Sequence, residues 1–274
     1  DQDGVQNPLG MAAARLEVNV HIVTGSVTSA QNIIKCCNQS GLDVEDIVLE
    51  PLASSQAVLS PDEQEVGVVL VDIGGGTTDV TIYSEGSIVH TSVLALGGNH
   101  LTHDIAIGLG APLREAEDIK HNYGVAMASM VGEEEMIDVP SVGGRNNRTM
   151  QKRVLASIIE DRFREIFELI AHEIEKTHFH TLMASGVVIT GGTCIMSGAD
   201  RLASQVLNLP VRVGYPENIS GLREMIYSPK YATSVGLVRY GITSNQGKLN
   251  FVGDDTNLFH KVSRRMKDWM QDFF

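Results

Sequence analysis

The sequence has little cysteine: Cys36, Cys37 and Cys194 are the only three thiols in 274 residues, and no metal-ligand spacing relates them. That excludes a disulfide scaffold or a cysteine zinc site. Cys36 and Cys37 fall in a helical pattern and read as small buried residues, which implies a reducing compartment. No run of 18 apolar residues exists, so no helix is long and apolar enough to cross a bilayer. There is no signal-peptide pattern and no initiating Met. Positive charge is also scarce: 21 Lys and Arg stand against 34 Asp and Glu, a net −13, which argues against nucleic acid as a partner and for basic partners or simple solubility. Hydrophobic content, by contrast, is ordinary at 43%. It is enough for a well-filled core in one large or two small domains.

What is there centres on Val68 to Tyr83, VVLVDIGGGTTDVTIY. An apolar run broken only by Asp72 leads into three glycines, and Thr77, Thr78 and Asp79 lead back into a second strand-like run. The spacing predicts a buried strand, a tight glycine turn and a returning strand. Without a Cβ, glycine lets backbone N–H groups approach a ligand closely, and successive N–H groups form a nest for anions. The threonines add hydroxyl donors, and Asp72 could hold a divalent cation through water. Three glycines alone would favour an ordinary hairpin turn. The acids and threonines flanking them make phosphate with magnesium the better reading.

Along the chain, Leu16 to Ile22 alternates as a half-buried strand. A helix capped by Ser26 or Thr28 follows, with Ala30, Ile33, Ile34 and Cys37 on its apolar face and Gly41 closing it. Val44–Leu49 reads as a strand and Leu52–Leu59 as a helix. The hairpin then extends through Ile88–Leu96. Leu101–Leu109 and Leu113–Asn122 are predicted helices, and Met136–Val139 is a short apolar piece. Thr149–His178 reads as one long helix, with Val154, Ile158, Phe163, Ile166, Phe167, Ile170 and Ile174 inward. Arg145, Arg148, Lys152, Arg153, Arg162 and Arg164 make the most basic patch of an acidic chain. Ser185–Thr190 is a buried strand opening onto Gly191-Gly192-Thr193, and Leu202–Leu207 a helix. Val211–Val213 is a strand, and Ala232–Tyr240 a helix of small residues ending at Gly241. A polar linker leads to Leu258, Phe259, Val262, Met266, Trp269, Met270, Phe273 and Phe274, which share one helical face flanked by four cations against two aspartates. A basic amphipathic helix of that kind reads as an interfacial membrane anchor. The plain alternative is a terminal helix docked on the domain or on a partner's groove.

DIGGGTTD resembles the second phosphate motif of the actin, Hsp70 and sugar-kinase superfamily, and Gly-Gly-Thr about a hundred residues later resembles its adenosine motif. The resemblance implies ATP and magnesium as cofactors. Gly74, Gly75, Gly76 and Thr77 would be phosphate contacts and Asp72 an indirect magnesium ligand. Glu117 and Lys120 would meet the ribose and adenine, Gly191, Gly192 and Thr193 the adenosine, and Met196 the base. The terminal helix, NPLG (Asn7–Gly10), VPSVGGR (Val139–Arg145) and SVGLVRYG (Ser234–Gly241) together resemble the FtsA family of bacterial cell-division proteins, over its second half only.

That family implies an α/β fold, an actin-like ATPase (RNase H-like) domain 2 with a smaller inserted α/β lobe and a C-terminal amphipathic helix. The expected division is a lead-in from a missing N-terminal half at 1–15, the RNase H-like lobe at 16–97 and 183–242, the inserted lobe at 98–182, a flexible linker at 243–256 and the helix at 257–274. The first phosphate motif is absent, and the subdomain inserted after it is expected to be absent too. The implied function is an ATP-binding, polymerising protein, not a true enzyme, that tethers the FtsZ ring to the inner membrane and recruits later divisome proteins. Its implied partners are the FtsZ C-terminal tail, through Arg148, Arg162 and Glu165 in the small lobe, further copies of itself head to tail, and the membrane surface. A pilus or chaperone adaptor and a sugar or acetate kinase are the alternatives.

Overall fold

The structure is a computed structural model that describes residues 4–5, 8–141, 146–177, 184–221 and 223–246. Two units are compact: 1–23 with 50–239, and 24–49 with 240–274. In the second unit, α1 (Val27–Gln39) is capped as expected, the Ser26 hydroxyl accepting the Ser29 N–H at 3.3 Å. Its cysteines differ from expectation: Cys36 is exposed and Cys37 half-buried among the described residues. Val44–Leu49 is not a strand.

In the first unit, α2 (Glu50–Val58) and α3 (Pro61–Val66) precede β1 (Val68–Ile73), β2 (Thr78–Ser84) and β3 (Ser87–Leu94). Ser60 and Glu63 form a capping box that starts α3. Next come α4 (Gly98–Leu109), α5 (Leu113–Tyr123), β4 (Met136–Val139), β5 (Arg148–Gln151) and α6 (Lys152–Lys176). Then follow β6 (Val187–Thr190), α7 (Ala199–Leu207), β7 (Val211–Val213), the short α8 (Arg223–Ile226) and α9 (Ala232–Gln246), which runs on past this unit.

Among the described residues, five strands make one sheet in the order β3-β2-β1-β6-β7. The first three are antiparallel neighbours, while β1–β6 and β6–β7 are parallel. All six residues of β1 are buried because the strand is central and covered on both faces. Val69, Val71 and Ile73 point to the core shared with α4, α6 and α7, and Val68 and Leu70 to a second core with α2 and Ala232.

A second, two-stranded sheet pairs β4 with β5, Ile137 opposite Met150. This pairing corrects the expected start of the long helix: Arg148–Gln151 is a strand because the backbone of Met136–Val139 takes its hydrogen bonds. The buried stripe of α6 is accordingly Leu155, Ile159, Phe163, Ile166, Phe167, Ile170 and Ile174. Val154 is exposed, and Ile158 is half-buried beside Gly108.

Leu16, Val18, Val20 and Ile22 are 62–77% exposed and form no strand among the described residues. Alternation alone does not make a strand without a neighbour to take its hydrogen bonds. Helix α9 continues through Gly241 to Gln246, so that glycine does not end it. The rest of the linker and the amphipathic helix, Leu258 to Phe274, lie outside the described residues, as do Arg145 and His178.

Candidate functional site

The glycine run closes the β1–β2 turn. The Gly74 N–H donates to the Thr77 carbonyl at 2.9 Å, and Ile73 and Thr78 form the last ladder pair. Gly75, Gly76 and Thr77 stand exposed at the tip, and a Cβ on Gly76 would meet no atom within 4 Å. Three small residues at an open hairpin tip are what an approaching phosphate needs. Thr78 differs from expectation. It is fully buried and its hydroxyl donates to the Leu96 carbonyl at 2.8 Å, so its one donor proton is spent inside the fold.

Two further glycine segments converge on this hairpin. At the N-terminus of α4, the Gly98 N–H donates to the Gly74 carbonyl at 2.9 Å and the Asn99 N–H to the Gly75 carbonyl at 2.7 Å. Gly97 must be bare: its Cβ would sit 2.7 Å from the Gly74 oxygen and 2.8 Å from that of Gly75. After β6, Gly191 has φ +93° and packs on the Ile73 carbonyl, and the Thr193 hydroxyl donates to the Gly74 carbonyl at 2.9 Å. The two motifs singled out in the sequence are thus brought into direct contact. Gly192 is exposed, Met196 is half-buried with its methyl over Gly124 at the end of α5, and Cys194 is a buried core thiol.

Glu117 and Lys120 face the same place from α5. Lys120 is 9% exposed, and its ammonium donates to the Gly98 carbonyl at 3.0 Å, the Thr102 hydroxyl at 2.8 Å and Glu117 at 2.8 Å. Its three N–H donors have three protein acceptors. Burial raises the Glu117 carboxyl, but hydrogen bonds from Lys120 and Thr102 outweigh it and hold the group below the usual carboxylate range.

On the other face of the hairpin, Asp72 is buried and accepts the Ser54 hydroxyl at 2.6 Å, with Thr233 at 3.5 Å. Burial raises its pKa, and Glu50 adds to the shift. Asp79 is directly across the ladder from Asp72. Burial, Glu50 and Asp72 push Asp79 up to about 6. No three His, Cys, Asp or Glu among the described residues could chelate a metal ion. A divalent cation here would relieve the crowding of Asp72 and Asp79, with most of its ligands supplied by phosphate oxygens and water.

The raised Asp79 carboxyl makes a stability prediction. Its unfolded value is the ordinary 3.8, so the folded state gains from the protonated form below that pH and loses the gain as pH rises through about 6. Asp79→Asn should raise the unfolding temperature at pH 8 and leave it nearly unchanged at pH 4. Thermal unfolding at the two pH values checks this, and an equal shift at both would refute the titration as its cause.

Among the described residues, the basic patch from Arg148 to Arg164 is internally engaged. Arg162 forks onto Asp104 of α4, at 2.5 Å from Nε and 3.1 Å from Nη2, and pairs with Glu165 as well. Its hydrogen bonds to Asp104 raise its pKa further. Arg148 donates to the Leu109 carbonyl at the end of α4. Lys152 pairs with Glu135, Arg153 with Glu133 and Arg164 with Glu160. The local field is therefore weaker than the run of cations suggests, and Glu165 already has a cation. Counting residue signs along one helix missed the acids supplied by α4 and by the loop before β4.

Comparison with known proteins places this architecture. A family model described as Cell division protein FtsA matches residues 69–236, and another, described as the SHS2 domain inserted in FTSA, matches residues 1–24. The unpaired alternating segment Leu16–Ile22 falls within the second match. The chain is 43% identical over its whole length to Cell division protein FtsA of Pseudomonas aeruginosa and 39% identical to that of Escherichia coli, covering 67% of each. It thus spans about two thirds of the length of these curated relatives. The crystal structure of MreB5 of Spiroplasma citri bound to ADP superposes with a TM-score of 0.66 at 19% identity, over 83% of this chain and 69% of that one. The fold is therefore the actin-like one. Similarity to these relatives over the whole of this chain, with a family model that matches residues 69–236 and a glycine hairpin and a Gly-Gly-Thr loop meeting at one carbonyl, puts the chain in the FtsA family of cell division proteins.

Proposed function

We propose that this chain is the nucleotide-binding second domain of a protein that binds Mg-ATP, polymerises, and tethers the FtsZ ring to the cytoplasmic face of the inner membrane at the division site. The observation that carries the nucleotide reading is the convergence of the exposed Gly75–Thr77 tip, the α4 N-terminus and the Gly191–Thr193 loop around the Gly74 carbonyl. Gly74, Gly75, Gly76 and Thr77 would hold phosphate oxygens, whose charge bound magnesium offsets, with Asp72 reaching the ion through water. Gly191, Gly192 and Met196 would border the adenosine. Lys120 is committed to Gly98, Thr102 and Glu117, so its contribution to the ribose end is to shape it. The chain acts as an adaptor rather than an enzyme in this reading.

The small lobe, 98–182, is proposed as the docking surface for the FtsZ tail. Arg148 and Arg162 there hold both ends of one face in shape through Leu109 and Asp104. The membrane reading rests on the sequence of 257–274. Eight large apolar side chains, each worth about 1.5–3 kcal/mol when fully buried, outweigh four cations at roughly 1 kcal/mol apiece. Polymerisation would then make a weak single anchor firm by avidity.

The test uses the full-length protein. It should bind a fluorescent ATP analogue in the presence of Mg²⁺ and float with anionic liposomes. Trp269→Glu should abolish flotation at any salt while leaving nucleotide binding intact. A Trp269→Glu protein that still floats would remove the terminal helix as the anchor, and a wild type that binds no ATP would remove the nucleotide reading.

A further inference from the structure

The Gly74 carbonyl accepts twice, from the Gly98 N–H and from the Thr193 hydroxyl, each at 2.9 Å. A carbonyl oxygen has two lone pairs, so this acceptor is saturated by protein donors. The two donors come from elements far apart in the chain: Gly98 opens α4, and Thr193 follows β6. The hydroxyl proton of Thr193 is used on this bond, and its oxygen is so close to the α4 terminus that a Cβ on Gly98 would lie 2.6 Å from it. The peptide that carries these contacts also starts the hairpin turn, through the Gly74 N–H on the Thr77 carbonyl.

We infer that Thr193 is a positioning residue that sets the phosphate hairpin through the Gly74 carbonyl, and is not itself an adenosine contact. The inference rests on the nucleotide reading above and assigns this loop residue a task at the other end of the ligand. Without the hydroxyl, the Gly74 peptide loses one of its two anchors and the N–H groups at the tip lose their fixed aim. The effect is felt where the phosphates bind. A base or ribose contact would be felt by adenosine instead.

Thr193→Val keeps the shape and the β-branch and removes the hydroxyl, while Thr193→Ser keeps the hydroxyl. In the full-length protein with Mg²⁺, displacement of a fluorescent ATP analogue by ATP, tripolyphosphate and adenosine separates the two ends of the site. Thr193→Val should weaken both ATP and tripolyphosphate about five- to tenfold, the weight of one ordinary hydrogen bond, and leave adenosine unchanged. Thr193→Ser should restore both. Gly98→Ala, which displaces the same hydroxyl by contact, should reproduce the split and serves as the second variant if Thr193→Val does not fold. Loss of adenosine affinity with tripolyphosphate unchanged would overturn the inference by making Thr193 a direct contact. Unchanged affinity for all three ligands would overturn it as well. A wild type that binds none of them would instead remove the nucleotide reading on which the inference rests.

Discussion

Gly97→Ala should destabilise the protein and abolish ATP binding together, whereas Gly75→Leu should abolish binding and leave the fold intact. The difference lies in what each added Cβ would meet. At Gly97 it would lie 2.7–2.8 Å from two backbone oxygens of the hairpin, which cannot move without breaking the Gly98–Gly74 and Asn99–Gly75 hydrogen bonds. Overpacking of this kind costs about 1–3 kcal/mol, and it deforms the site as it does so. At Gly75 the nearest atoms a Cβ would meet belong to the Asn99 side chain, at 3.5 Å, an ordinary contact. The rest of a leucine would extend from the exposed tip into the space a phosphate needs. Thermal unfolding with ATP titration of the full-length protein separates the two. Unchanged ATP affinity in Gly75→Leu would sink the assignment of this hairpin to phosphate.

Gly236→Ala is expected to produce the largest loss of stability of any single methyl added to this unit. Helix α9 crosses α2 so closely that a Cβ at Gly236 would stand 1.7 Å from the Ala53 carbonyl oxygen and 2.4 Å from its carbon. No side-chain rotation relieves a clash with backbone, so the helices must separate. Separation would open the second core, where Ala57, Val58, Leu70, Val188 and Ala232 are buried, and would disturb Ser54 and Thr233 beside Asp72. The unfolding free energy should fall by more than about 2 kcal/mol, measured by denaturant titration. A loss under half of that would mean that α9 shifts freely on α2.

The hairpin and the Gly-Gly-Thr loop were legible in the sequence because each is a local pattern. Apolar runs, glycines and flanking acids have the same meaning whatever surrounds them. The long helix was legible in its middle, where Phe163 to Ile174 keep a helical period. Its start was not, because Arg148–Gln151 is extended only through hydrogen bonds to Met136–Val139, its ladder partners 9–15 residues upstream. The same limit misplaced Leu16–Ile22 and Val44–Leu49. Both have strand-like composition, yet neither is a strand in the structure, since strand formation depends on a neighbour and not on alternation.

By itself, the sequence determined the family, the glycine motifs and the residue types at the hairpin turn, since these follow from local chemistry and short-range pattern. Tertiary structure decided which polar groups are left for a ligand. Thr78 is spent on Leu96, Lys120 on Gly98, Thr102 and Glu117, Thr193 on Gly74, and Arg162 on Asp104 and Glu165. Most of these partners lie 18–119 residues away in the chain. A buried donor takes whichever acceptor the packed fold brings within about 3 Å, and no local pattern of residues encodes that distance.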